Sequence, residues 1–179
     1  MKKEQSLNRT TLSNNSKDTK SPLYSKPDSV KYLENLVFEA KKLKYPTIPV
    51  NYLAPEKFRD NTANGLTRCI KSFIQVKGGQ CERICTTGRQ IDNTKIFTDV
   101  LGHQRVIGSL NWIKGNATNG SADISATING RSVKIEVKIG RDRMSEAQMD
   151  YKAEIEAAGG VFYVAMDFTS FLNWYNQMF

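Results

Sequence analysis

The sequence predicts an α/β fold, with helices on both faces of a mixed central sheet and a core order of αβββαβ. Three observations predict it: an apolar stripe at helical spacing over residues 64–76, a hairpin whose turn is Asn129-Gly130, and a strand–helix–strand unit over residues 132–166. Asn-Gly between two β-prone runs is the strongest short hairpin signal, because a type I′ turn needs positive φ at both central residues. A hairpin pairs its strands antiparallel, whereas a strand–helix–strand unit pairs them parallel with a right-handed crossover. The predicted sheet therefore contains both kinds of pairing.

The chain is expected to divide into three segments. Residues 1–28 are rich in Ser, Thr, Asn and Lys and almost free of apolar residues, which predicts a disordered basic tail. Residues 29–63 contain an apolar stripe at i, i+3, i+7 and i+10 that starts at Val30, and two prolines follow it. We therefore expect an N-terminal helix and an extended connector there. Residues 64–179 hold the remaining elements and form the expected main domain.

The first half of the main domain is expected to contain one helix and short strands. The helix over residues 64–76 stops at a pair of glycines. Short strands are expected over residues 80–86 and 109–114, with a loop or an irregular hairpin over residues 96–107 between them. Trp112 lies in the second of these strands; it could touch a ligand, but simple packing is the interpretation we favour.

The strand–helix–strand unit follows the hairpin. Its helix is predicted over residues 146–158, because Ser145 and Gln148 fit the S-x-x-Q capping box and a glycine pair ends the pattern. We expect its buried face to be lined by Ala147, Tyr151, Ile155 and Ala158. A continuous apolar run over residues 161–166 then predicts a buried strand, and a short helix completes the chain.

Two carboxylates face each other across the predicted hairpin. If Asn129 and Gly130 form its loop, the numbers of opposite residues always add up to the same total, which puts Asp123 directly opposite Glu136. Two opposed carboxylates repel each other, and a divalent metal ion is the usual partner of such oxygen ligands. Lys138 lies two residues beyond Glu136 and shares its face, because side chains alternate along a strand. Two acids and a lysine around one point indicate metal-assisted phosphodiester hydrolysis.

Each of these residues also has a purely structural interpretation. Asp123 could cap a turn where a loop meets a strand, and Gln148 is explained by the capping box alone. Glu136 could be a solvated strand residue that pairs with Lys134 or Lys138. However, the opposite face of the same strand is fully apolar, so a central strand would bury the Glu136 face as well, and a buried acid needs a partner.

The charge of the chain predicts an acidic partner. The formal net charge is +8, and it is unevenly distributed. Residues 64–143 carry 13 Lys and Arg against 6 Asp and Glu, whereas residues 144–179 carry 1 against 5. The basic stretch is therefore the one that holds the carboxylate pair, which fits a nucleic-acid partner.

Composition disfavours several other classes of protein. No run approaches the roughly 18 consecutive apolar residues of a membrane span, and no apolar segment follows the basic amino terminus. We therefore expect a cytoplasmic protein without membrane contact. The three cysteines are an odd number without a secretion signal, which argues against a disulfide framework, and the lone histidine disfavours a zinc site.

The residues around the carboxylate pair resemble the PD-(D/E)xK nuclease superfamily. Asp123 followed by Glu136-Val137-Lys138 is similar to its D…(D/E)-x-K signature. The flanking segments resemble the VRR-NUC branch and related Holliday-junction-resolvase-like phage nucleases, namely residues 120–124, the basic loop 140–145, Gln148 and the strand after the glycine pair. The resemblance covers roughly residues 64–175. It implies a restriction-endonuclease-like fold and an endonuclease that hydrolyses DNA, with structured or branched DNA in recombination, repair or phage genome processing as the expected substrate.

The resemblance also implies a role for each site residue. Asp123 and Glu136 would bind Mg²⁺ or Mn²⁺, with the backbone carbonyl of Val137 as a further ligand. Lys138 would hold or activate the attacking water, or stabilise the phosphorane-like transition state, and Gln148 would contact the water or a phosphate. If the protein binds nucleic acid, Arg141 and Arg143 are expected to contact phosphates, and otherwise they are loop charges; Lys114, just before the loop that leads to Asp123, could touch the substrate. Resolvase-like relatives are often dimers, so a homodimer is a further expectation.

The chain departs from the family pattern at one position. Relatives usually carry another acid, often Glu, on the helix before the sheet, whereas residues 64–77 contain no acid. Glu82 on the next strand is the nearest candidate to replace it. The departure leaves three alternatives: a metal site with two acids, a third ligand supplied from elsewhere, or a catalytically weak nuclease-like module that only binds DNA. RNA stays open as an alternative substrate.

Overall fold

The computed structural model describes residues 24–85, 88–113, 115 and 118–179. Of the predicted tail, residues 1–23 lie outside the described residues. The helices are α1 (Asp28–Lys44), α2 (Ala63–Val76), α3 (Glu146–Ala157) and α4 (Phe168–Met178), and a 3₁₀ turn spans Val50–Tyr52. The strands are β1 (Gln80–Arg83), β2 (Arg89–Asp92), β3 (Lys95–Thr98), β4 (Gln104–Ile107), β5 (Leu110–Ile113), β6 (Ile124–Ile128), β7 (Arg131–Val137) and β8 (Val161–Ala165). Within the described part of the chain, no helix has both the length and the apolar character that crossing a membrane requires.

The central sheet has four strands in the order β1-β6-β7-β8. β6 pairs antiparallel with β1 and with β7, whereas β8 pairs parallel with β7. α2 precedes β1, and α3 connects β7 to β8. The core order is therefore αβββαβ, with helices on both faces of a mixed sheet, and the predicted α/β fold is confirmed.

The hairpin between β6 and β7 has the predicted turn and register. Asn129 has φ 47° and Gly130 has φ 77°, which is the pair of positive values that a type I′ turn requires. The pairing starts with Ile128 opposite Arg131 and runs to Ile124 opposite Ile135. The next pair in this register is Asp123 and Glu136.

The apolar face of the central sheet packs against α1, α2 and α4. On β7, Val133 and Ile135 are fully buried on this face. Phe73 of α2 lies at the centre of the core, and its ring centroid is 5.9, 6.0 and 4.9 Å from those of Phe168, Phe171 and Tyr175. Burying one such side chain contributes roughly 1.5–3 kcal/mol, so this core fixes the sheet and, with it, the orientation of the opposite face.

The opposite face of the sheet is polar and only partly covered. α3 packs near the β8 edge, where the rings of Tyr151 and Phe162 are 6.4 Å apart. Contrary to expectation, no residue of α3 is fully buried: Ala147, Tyr151 and Ile155 are half-buried and Ala158 is exposed. The reason is that α3 contacts the sheet with one flank at its edge instead of lying across it. The polar side chains of β6 and β7 next to α3 therefore stay within reach of a ligand.

Between β1 and β6 the chain leaves the central sheet and forms an arm, residues 88–113. β2 pairs with β5 and β3 pairs with β4, so the arm consists of two small two-stranded sheets. The strand expected over residues 109–114 exists as β5, but it pairs within the arm. Trp112 was expected to pack and instead is 67% exposed, because a two-stranded sheet offers no second layer to cover it.

Candidate active site

Asp123 and Glu136 lie side by side at one end of the central sheet. Asp123 directly precedes β6, and its Oδ2 accepts a hydrogen bond of 3.0 Å from the backbone N–H of Val137. On the other side, the carbonyl of Asp123 accepts a 2.8 Å bond from the N–H of Ile84 after β1. Strands on both sides therefore hold Asp123 in place.

Glu136 is buried, with 3% of its surface exposed, yet only one of its carboxylate oxygens is satisfied. Oε1 accepts hydrogen bonds from Lys138 Nζ at 3.0 Å and from Gln148 Nε2 at 2.6 Å. Oε2 is buried and has no hydrogen-bond partner among the described residues. A buried carboxylate oxygen without a partner is costly unless something binds it, and it lies on the side chain that faces Asp123.

Lys138 contacts three other side chains of the site. Its ammonium is buried and contacts Glu136 Oε1, the Oε1 atom of Gln148 at 3.0 Å, and Asp142 Oδ2 at 3.6 Å. The backbone N–H of Lys138 donates to the carbonyl of Ala165 at the end of β8, so the sheet continues to hold the chain at this position. Asp142 was not predicted from the sequence, although it lies four residues after Lys138 in the basic loop.

Gln148 serves the capping box and the site at once. The side chain of Ser145 accepts from the N–H of Gln148, and the Oε1 of Gln148 accepts from the N–H of Ser145 at 3.0 Å, which completes the predicted capping box. The remaining amide group of Gln148 donates to Glu136. The cap fixes the rotamer of Gln148, and this fixed side chain orients Glu136 and Lys138.

The charges of the site favour an added cation. Burial raises the pKa of the Glu136 carboxyl, and the negative charge of Asp123 adds to this shift, whereas the hydrogen bond and charge of Lys138 and the backbone of Asp123 oppose it. Burial alone would lower the pKa of the Lys138 ammonium, but the carboxylates of Glu136 and Asp142 raise it overall, so Lys138 keeps its proton. Asp123 adds a second carboxylate beside the ion pair of Glu136 and Lys138, and a divalent cation would neutralise this added charge.

The cluster formed by Asp123, Glu136, Lys138 and Gln148 does not include the other predicted site residues. Arg141 and Arg143 are exposed in the loop after Lys138, where they line an open depression of about 430 Å³ together with Met166. Val137 is buried between Glu136 and Lys138. Lys114 lies outside the described residues.

The structure does not bring a third acid to the pair. Glu82 is exposed on β1. It lies opposite Ser125 of β6, which is two residues after Asp123. α2 has no acid in its first turn. In the part of the chain that is described, no group of three or more His, Cys, Asp and Glu side chains could hold a metal ion together. Any metal bound here relies on two carboxylates, backbone oxygen and water.

Gly120 is a site residue whose role only the structure reveals. A Cβ atom at this position would overlap the backbone carbonyl of Ala147 and lie 3.0 Å from the backbone nitrogen of Gln148. The loop before Asp123 therefore packs directly on the first turn of α3, and its φ of 79° is one that side chains disfavour. The absence of a side chain at Gly120 allows the loop and Gln148 to approach each other.

We predict that Gly120→Ala lowers catalytic activity by about 10- to 100-fold, because backbone atoms cannot rotate away and the first turn of α3 must shift by a fraction of an ångström or more. Gly130→Ala is the matched control, since Gly130 has φ 77° and nothing within 4 Å of an added Cβ. Both variants carry the backbone strain of a positive φ, roughly 1–3 kcal/mol. Equal loss of activity in the two variants would contradict the role of the close approach.

Gln148 and Ser145 allow the cap and the site to be separated. We predict that Ser145→Ala costs about 1 kcal/mol in the free energy of unfolding and changes activity less than about threefold, because the amide of Gln148 still reaches Glu136. Gln148→Ala removes both contacts and is expected to lower activity by about 10- to 100-fold. Thermal unfolding and initial rates measured on both variants check this. If activity follows stability in the same proportion for both, Gln148 has only a structural role.

A comparison with known proteins adds no family to these observations. No protein-family model matches the chain, and no curated protein matches it. The functional conclusion therefore rests on the geometry of the site and on the sequence pattern around it.

Proposed function

We propose that this protein is a metal-dependent nuclease that hydrolyses phosphodiester bonds in DNA. The single observation that carries the proposal is the buried Oε2 atom of Glu136, which has no partner within the described residues and belongs to the carboxylate opposite Asp123. A buried carboxylate oxygen without a partner, next to a second carboxylate, is what a site for a hard divalent cation requires. The resemblance of Asp123, Glu136 and Lys138 to the PD-(D/E)xK signature supports the same conclusion.

The donor set fits Mg²⁺ or Mn²⁺. Asp123 and the Oε2 atom of Glu136 would hold the ion, with the carbonyl of Val137 as a further oxygen ligand, and all three are the hard donors that these ions prefer. When bound, the ion would polarise a phosphate oxygen and lower the pKa of a coordinated water.

The protein side chains would stabilise the transition state, orient the metal ligands and bind the substrate. Lys138 would act as a hydrogen-bond donor and a positive charge for the phosphate oxygen on which negative charge develops. Gln148 holds Lys138 and Glu136 in their relative orientation. Arg141 and Arg143 would bind phosphates next to the scissile one, because their loop begins two residues after Lys138.

DNA is the proposed substrate because the chain is basic around the site and resembles DNA nucleases. Contacts from Lys and Arg to phosphates carry no sequence information, so binding is expected to be directed at the backbone and to weaken steeply with salt. Structured or branched DNA is the form that the resemblance favours.

A second candidate function is a DNA-binding module without catalysis. The observation that favours it is the direct ion pair between Lys138 and Glu136, which satisfies one carboxylate oxygen without any metal. The lack of a third acid near the pair within the described residues favours it further.

Cleavage assays separate the two candidates. Labelled duplex, single-stranded and four-way-junction DNA, each with a matching RNA, are incubated with the protein in Mg²⁺, in Mn²⁺ and in EDTA. We expect cleavage of at least one form of DNA that requires the metal. Binding of DNA without cleavage of any substrate in either metal would support the second candidate and contradict the first.

A further inference from the structure

A polar groove runs along the exposed side of α2. Two adjoining depressions of about 650 and 280 Å³ form it, and they share Ser72 and Gln75. Its lining includes five cationic residues from three different elements and one acid. We call it the α2 groove and define it by these charged residues: Lys41, Lys44, Glu56, Arg68, Lys71 and Arg83.

The charge of the α2 groove differs from that of an ordinary solvated helix face. Solvated faces usually intersperse both signs, as α1 does with Lys31 beside Asp28 and Lys42 beside Glu39. In the groove, Glu56 pairs with Arg68 at 3.0 Å, which leaves Lys41, Lys44, Lys71 and Arg83 as a surplus of positive charge. Cations from α1, α2 and β1 converge there because the apolar side of α2 faces the core and its polar side faces outward.

One end of the groove lies at the end of β1 that neighbours Asp123. Arg83 is the last residue of β1, and the next residue, Ile84, donates its N–H to the carbonyl of Asp123 at 2.8 Å. Because side chains alternate along a strand, Arg83 points to the α2 side of the sheet while Asp123 belongs to the opposite side. Arg83 and Asp123 therefore lie on opposite faces of the sheet, at the same end of the neighbouring strands β1 and β6, and β1 is the edge strand.

We propose that the α2 groove binds the phosphate backbone of a nucleic-acid strand that continues past the active site around the edge of β1. This inference rests on the proposed function, since it extends the same substrate. α2 rises about 18 Å between Asn64 and Val76 at 1.5 Å per residue, and one strand of a duplex advances about 3.4 Å per nucleotide. The groove therefore has room for about five nucleotides on one side of the scissile bond.

The test compares binding with and without the groove on substrates of different length. Lys71→Glu combined with Arg83→Glu reverses two groove cations, and neither residue belongs to the catalytic cluster. Lys31→Glu combined with Arg131→Glu is the matched control, because these exposed residues lie outside the groove and change the net charge equally. Dissociation constants are measured by fluorescence anisotropy in EDTA, so the result does not depend on catalysis. The DNA probes differ only in how far the DNA extends on one side of the position expected at the active site, from two to twelve nucleotides.

We expect the affinity of the wild type to rise as this side of the DNA probe is lengthened by about five nucleotides and then to level off. On the long probe, the groove variant should bind at least about 10-fold more weakly than the control variant, with a salt slope that is lower by about 2. On the shortest probe, the two variants should bind equally.

The proposal would be overturned if the two variants weakened DNA binding equally on every probe. It would also be overturned if the groove variant bound DNA as tightly as the wild type, and an acidic protein segment would then be the partner of the groove. Failure of the proposed function has a different signature. A wild-type protein that cleaves nothing but shows the length-dependent loss in the groove variant would retain this inference and lose the nuclease activity.

Discussion

Replacing Glu136 by Gln is expected to lower DNA cleavage by at least about 1,000-fold, because a lost metal ligand removes several kcal/mol of transition-state stabilisation and each 1.36 kcal/mol corresponds to a factor of ten. Glutamine keeps the acceptor that Lys138 and Gln148 use, so the hydrogen bonds at Oε1 can persist. What it removes is the negative charge of Glu136 and the carboxylate oxygen Oε2, which has no hydrogen-bond partner among the described residues. Initial rates with saturating Mg²⁺ measure the loss.

The stability of this variant provides a second readout. Burial and the charge of Asp123 raise the pKa of Glu136 despite the opposing Lys138 hydrogen bond, so the ionised carboxylate is disfavoured in the folded protein without metal. We therefore expect Glu136→Gln to unfold, in EDTA, at a temperature no lower than that of the wild type. Glu82→Gln, an exposed acid on the same face, is the control and should keep its activity within about threefold. Cleavage by Glu136→Gln within tenfold of the wild type would contradict the assignment.

Replacing Lys138 by Met is expected to lower cleavage by about 100- to 1,000-fold, because it removes a fixed positive charge from the place where phosphate charge develops. Methionine fills a similar volume, so the surrounding packing should persist. Metal binding should not weaken, since Lys138 competes with a cation for the carboxylate of Glu136. This combination of lost catalysis and retained metal binding distinguishes Lys138 from the two acids.

Lys134→Met is the matched control for this prediction. Lys134 lies two residues before Glu136 on the same face of β7, where its ammonium donates to the hydroxyl of Ser125 and does not contact Glu136. We expect this variant to stay within about threefold of wild-type activity. Similar losses in the two lysine variants would indicate a general effect of charge on DNA binding, and the role given to Lys138 would then be wrong.

The register of the central hairpin was predictable because its determinants are local. Asn129 and Gly130 specify a two-residue turn, and this turn fixes the partner of every residue in β6 and β7. The strand–helix–strand unit was predictable for a similar reason, since the capping box and the glycine pair mark both ends of α3. Together these signals were enough to bring Asp123, Glu136 and Lys138 to one place.

The remaining features of the site depend on tertiary contacts that no local signal encodes. Whether an oxygen of Glu136 stays without a partner depends on the rotamers of Lys138 and Gln148. The approach of Gly120 to α3 and the contact of Asp142 with Lys138 depend on how a loop and a helix dock. The exposure of Trp112 was predicted wrongly, because residues 88–113 form an arm instead of extending the central sheet.

The central claim is that Asp123 and Glu136 together hold a divalent metal ion. Its most direct test is titration of the metal-free protein with Mn²⁺, followed by electron paramagnetic resonance, in the wild type, Asp123→Asn, Glu136→Gln and Lys138→Met. We predict saturable binding of Mn²⁺ by the wild type and by Lys138→Met, and its loss in both acid variants. Equal binding of Mn²⁺ by the wild type and Glu136→Gln, or no binding by the wild type even with DNA present, would contradict the claim.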